Sequence, residues 1–199
     1  MLKKRWVFIL FSAILLVGGY LLFMERLTPR FAASIESRTK IPEWIDVQLV
    51  GRGNPSRTGK RLQGPADIVV HYVGNPQTTA QQNRNYFNNR NSDVSSHFLV
   101  GLDGEIIMCI PLSERSAATG SRNVDTISIE VCHPDETGEF TEASYASLVR
   151  LTAWLMNLTG LDETHVIRHY DVTGKECPLW FVTHPEAFDR FRADAAAAR

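Results

Sequence analysis

The sequence predicts an α/β fold: a single domain with a central mixed β-sheet flanked by helices, preceded by an N-terminal transmembrane helix. Three stretches carry that expectation. "DIVVHYV" (67–73) is a short, β-branched apolar run bounded by Pro65 and Gly74, which suits a strand buried on both faces. "TISIEVC" (126–132) alternates strictly, with Ile127, Ile129 and Val131 on one face and Ser128, Glu130 and Cys132 on the other. Residues 141–159 repeat apolar side chains at helical spacing, with Thr141 placed to cap the start and Gly160 to stop the end.

The remaining elements follow in chain order. The first residues, "MLKKRWVFILFSAILLVGGYLLFMER", open on Lys3, Lys4 and Arg5 and continue as an uncharged run from Trp6 to Met24. As a helix that run spans roughly 28 Å, close to a bilayer core. We therefore expect residues 1–26 to be a membrane anchor and 27–41 a tether. The basic cluster places the N-terminus in the cytoplasm and the rest outside, as a single-pass protein of the cell membrane. A cleaved signal peptide would have a shorter apolar core and a nearby small-residue cleavage site, and "FAAS" at 31–34 is distant.

The domain proper is expected over 42–199. "GRGNPSRTGKRLQGP" (51–65) reads as an exposed loop, and "TTAQQNRNYFNN" (78–89) as a short helix with Thr79 near its cap. "SSHFLVGLDGEIIMCIP" reads as strand, Asp-Gly turn, strand. The helix after Thr141 is given an inner stripe of Tyr145, Leu148, Val149, Thr152, Leu155 and Leu158. "THVIRHY" is taken as a strand that sets His165 and His169 on one face, and "PEAFDRFRADAAAA" as a terminal helix.

Composition excludes some classes of function. The formal net charge is −1, so there is no basic field for nucleic acid. Three cysteines make no disulfide framework; Cys109 and Cys132, both on expected strands, could pair, and two buried thiols is the favoured reading.

The chemistry concentrates in "RHYDVTGKECP" (168–178). His71 lies on a central strand, His169 ends another, and Cys177 follows across a loop. Two imidazoles and one thiolate suit zinc, and three protein ligands leave the fourth tetrahedral position open, as catalytic sites do. For a strand histidine alone, core packing is the competing reading. Asp171 and Arg168 are placed to orient a ligand imidazole.

Four motifs, "VVHYVGNP", "SSHFLVGLDG", "ISIEVCHP" and "RHYDVTGKECP", occur in this order and together resemble the zinc-dependent N-acetylmuramoyl-L-alanine amidases of the amidase-2 class. That class is related to phage lysozyme-type amidases and peptidoglycan recognition proteins. The resemblance covers roughly residues 65–190. It implies His71, His169 and Cys177 as zinc ligands, Glu130 as general base and Lys175 as a catalytic cation. It implies hydrolysis of the amide between N-acetylmuramic acid and L-alanine of the peptidoglycan stem peptide, with 42–199 as the catalytic domain. Some relatives carry a tyrosine before the "HF" of the second motif; here that residue is Ser96. His97 and Asn75 are candidates for the substrate cleft, with a packing role the other reading for His97. The alternative function on the same fold is a binding module without catalysis.

Overall fold

The computed structural model describes residues 39–199. Its centre is a six-stranded sheet: β1 (Ile45–Val47), β2 (Asp67–Tyr72), β3 (Phe98–Val100), β4 (Ile106–Met108), β5 (Thr126–Val131) and β6 (Val166–Arg168). The strand order is β1-β4-β3-β5-β2-β6. β3 and β4 are antiparallel and every other neighbouring pair is parallel, so the sheet is mixed as expected.

The alternation of β5 separates two faces. Ile127, Ile129 and Val131 join Ile68, Val70, Phe98 and Val100 in the larger core. Helix α2 (Glu142–Thr159) and the terminal helix (Pro185–Ala197) cover it. The other face carries Leu99, Ile107, Cys109 and Cys132 under helix α1 (Ala80–Phe87).

Helix α2 starts and stops where its sequence indicates. Thr141 Oγ1 accepts the Ser144 N–H at 3.0 Å and also donates to the Leu102 carbonyl at 2.7 Å. Gly160 closes the helix at φ 78°, a left-handed conformation that costs glycine little. The buried stripe is Leu148, Leu151, Thr152, Leu155 and Met156, with Tyr145, Val149 and Leu158 at its margins. It is therefore wider than the expected one. The β3–β4 turn docks on the first turn of α2. A Cβ on Gly104 would stand 2.9 Å from the Ala143 carbonyl oxygen, so a larger residue does not fit there.

Two local expectations are corrected. "THVIRHY" is not one strand. Asp162 Oδ1 accepts from the Thr164 N–H at 3.0 Å and winds Glu163–His165 into a 3-10 turn. β6 follows for three residues, and helix α3 (His169–Thr173) begins at His169 itself. His165 therefore lies in the turn, not on a shared strand face with His169, and its Nδ1 is 3.2 Å from Asp67 Oδ1. The 51–65 loop is not wholly exposed either. Arg57 is buried and binds Glu114 at 2.7 Å and the Val50 carbonyl at 2.6 Å.

The expected anchor, 1–26, and nearly all of the tether, 27–41, lie outside the described residues. Among the described residues no helix is long and apolar enough to cross a membrane. The expected single-pass localisation and the membrane partner are corrected on that finding. Cys109, Cys132 and Cys177 are all free and buried.

Candidate metal centre

The site forms at the carboxyl ends of β2, β5 and β6, where parallel strands leave a crevice. His71, the fifth residue of β2, stands in register beside Glu130 of β5. A slip of one residue would turn one of them to the opposite face. His71 Nδ1 lies 3.9 Å from Glu130 Oε1, and its Nε2 lies 3.2 Å from Thr119 Oγ1. Both His71 and Thr119 are buried.

His169 arrives by a different route. Helix α3 starts with Arg168 as cap: its backbone N–H donates to Asp171 Oδ2 at 2.8 Å, and its guanidinium binds Asp171 Oδ1 at 2.7 Å. Arg168 also donates to the Phe181 carbonyl at 2.9 Å. These two residues hold the turn that presents His169; neither bonds its ring. The chain then reverses after Gly174, and the Tyr170 N–H donates to the Cys177 carbonyl at 2.9 Å. That closure brings Cys177 back beside His169.

The outcome is a cluster. One ligand atom from each of His71, His169 and Cys177 lies within 4.8 Å of the others. The two imidazole rings are 4.5 Å apart between centroids. His169 Nδ1 and Glu130 Oε2 are enclosed without a hydrogen-bond partner among the described residues. A buried polar atom without a partner is costly, and it points to a group that completes it.

Electrostatics follow from the enclosure. Burial pushes Glu130 up to about 8, opposed by the Lys175 ammonium. Burial, then His169 and Lys175, holds His71 well below the usual histidine range. Burial and Lys175 lower His169 as well. Burial, with Glu130 adding to it, pushes the Cys177 thiol up to about 12. Lys175 itself is exposed on the loop before Cys177.

The two cleft candidates part company. Asn75 borders a groove of about 440 Å³ whose lining includes Glu130. His97 does not reach it, and the cleft reading is corrected. Its ring is fully buried; Nδ1 accepts the Ser128 N–H at 3.1 Å and Nε2 lies 2.9 Å from the Glu114 carbonyl. Both nitrogens are used inside the fold. His133 is buried, its ring tilted against Tyr72 at 4.9 Å between centroids. His184 is half-buried against Trp180. Sequence reasoning missed Thr119. A threonine in "SAATGS" carries no signal there, because its importance rests on a contact 48 positions away.

Residues 62–180 match the family Amidase_2, N-acetylmuramoyl-L-alanine amidase. The chain belongs to that family. It is 31% identical over 158 residues to N-acetylmuramoyl-L-alanine amidase BlyA of Bacillus subtilis (strain 168), across 69% of this chain and 42% of BlyA. The chain thus spans less than half the length of the curated amidases BlyA and CwlL that it matches. Among solved structures it is similar to the catalytic domain of XlyA, at 28% identity and a TM-score of 0.66, covering 74% of this chain and 97% of that one. PlyL shares the fold at 24% identity and a TM-score of 0.69, covering 78% of this chain and 98% of that one.

Proposed function

We propose that this chain is a zinc-dependent amide hydrolase that cuts peptidoglycan between N-acetylmuramic acid and L-alanine, with 42–199 as its catalytic unit. The observation that carries this reading is the convergence of His71, His169 and Cys177 beside an enclosed carboxylate. Their donor set suits zinc, and the unpartnered Nδ1 of His169 fits a ligand role. Bound there, zinc would polarise the scissile carbonyl and lower the pKa of a water toward about 7.

The chain's own groups do the rest. Glu130 takes the proton from the attacking water and returns it to the leaving amine of L-alanine. Its enclosed Oε2 has no competing protein donor among the described residues. Lys175 supplies positive charge where the oxyanion develops. Thr119, 3.2 Å from Nε2 of His71, would leave Nδ1 to face the site. The presence of Cys177 and Glu130 together favours hydrolysis over binding alone.

The test is digestion of purified peptidoglycan with and without a chelator. Mass spectrometry should find new L-alanine amino termini only where zinc is retained; new reducing sugars instead would overturn the reading. Glu130→Gln should keep about one zinc per chain and lose on the order of a hundredfold or more in turnover. Cys177→Ala should lose the metal; full zinc in that variant would remove Cys177 from the set.

A further inference from the structure

The 51–65 loop supplies no residue to the metal centre, and its charge has one sign. It carries Arg52, Arg57, Lys60 and Arg61 and no carboxylate. Over residues 39–199 acids prevail, 20 aspartates and glutamates against 15 lysines and arginines. Positive charge therefore gathers locally on a domain that is negative as a whole. Arg57 is consumed inside the fold. Both Glu114 carboxylate oxygens accept from its guanidinium at 2.7 Å, and the Val50 carbonyl accepts a third bond at 2.6 Å. That ion pair cancels the one carboxylate of the facing segment, 113–117.

The remaining cations are set side by side. The Arg115 N–H donates to the Lys60 carbonyl at 2.8 Å, and Arg115 Nε to the Arg61 carbonyl at 2.8 Å. Arg57 first, against burial, holds Glu114 below the usual carboxylate range, and Arg52 adds to it, so Arg52 stands near the same pair. Arg52, Lys60 and Arg61 are exposed. The Arg52 and Lys60 side chains make no hydrogen bond or ion pair among the described residues. The abutting segment 88–93 adds Arg90 and Asp93, which balance. Beneath the cations the backbone is tied down: Asn88 accepts from the Gly51 N–H and from Asn54 Nδ2, both at 2.8 Å. The surface is thus ordered in advance, and binding there loses little chain entropy.

We propose that Arg52, Lys60 and Arg115, with Arg61 between them, form a docking surface for a linear phosphodiester polyanion. Guanidinium forks and an ammonium match phosphate oxygens. The negative remainder of the domain turns this face toward such a polymer as it approaches. A bilayer is a poorer fit. None of the large apolar side chains exposed among the described residues, Val47, Tyr86, Val94 and Tyr170, belongs to 51–65 or 113–117, so nothing there would enter lipid. Single-stranded nucleic acid is a poorer fit too, because neither segment holds an aromatic ring on which bases could stack. The surface does not depend on the amidase reading; it would hold the domain against an anionic polymer whatever bond the metal centre cuts.

The test measures binding of the full chain to labelled poly(glycerol phosphate) by fluorescence anisotropy over a salt series. Affinity should fall as salt rises. Arg52→Gln with Lys60→Gln should weaken binding at least about tenfold at about 50 mM salt. The same pair should flatten the slope of log K against log salt by about 1.4, two cations at about 0.7 each. Arg190→Gln with Arg192→Gln removes equal charge from the terminal helix and should bind as the wild type does. Equal weakening by the two pairs would assign binding to net charge and overturn the proposal, as would an absence of binding. A loss from the Arg52 and Lys60 substitutions that is as large on phosphatidylglycerol vesicles or single-stranded DNA as on the polymer would overturn it too.

Discussion

Thr119 shows how much a single hydroxyl can decide. It lies 3.2 Å from Nε2 of His71, and a metal-binding histidine keeps its ring orientation through a contact of this kind. Thr119→Val preserves shape and removes the bond. We expect a loss of about ten- to a hundredfold in zinc affinity, measured by competition with a chromophoric chelator, with the fold intact by circular dichroism. Histidine chemistry was legible in the sequence; the contacts that His97 and His165 make were not. His71 and His169 meet, whereas His97 is consumed by Ser128 and Glu114 and His165 by Asp67. A residue name states which bonds are possible, and only its neighbours state which are made.

At the scale of elements, local rules worked where the cause was local. Thr79 caps α1 with Gln82 in a reciprocal box, and Thr141 and Gly160 bound α2 as their chemistry indicates. Thr141→Ala should cost about 1–2 kcal/mol in urea denaturation, since it removes a helix cap and a bond to the Leu102 carbonyl. The rules failed at 162–169. Apolar and β-branched residues there read as one strand, but the Asp162 side chain captures a backbone N–H and the Arg168–Asp171 pair starts a helix. Side-chain bonds to backbone compete with the ladder, and alternation does not register them. That helix start places His169 at its first turn rather than on a strand face.

The molecule as a whole has a pH signature to which the buried His97 contributes on the acid side. Burial lowers its pKa from 6.5 to about 4. The folded state holds the ring neutral while the unfolded chain accepts a proton below about 6.5. Unfolding thus binds protons, and stability must fall as pH drops. The contribution is present in full above pH 6.5 and is lost toward pH 4, about 3 kcal/mol in all. Urea midpoints at pH 7.5 and 4.5 should diverge more for the wild-type chain than for His97→Gln; equal divergence would assign the acid sensitivity elsewhere.

By itself the sequence determined the α/β class, the caps of the long helix, the two faces of β5 and which side chains have the chemistry to hold a metal ion. These are consequences of periodicity and residue chemistry, which act over a few neighbours. The tertiary structure decided what depends on register and closure: His71 beside Glu130 and, 98 positions on, His169 within reach of Cys177. It also decided that Asn75 borders the groove and His97 does not. Such contacts join segments that share no local pattern, so they exist only once the sheet has set which strand lies beside which.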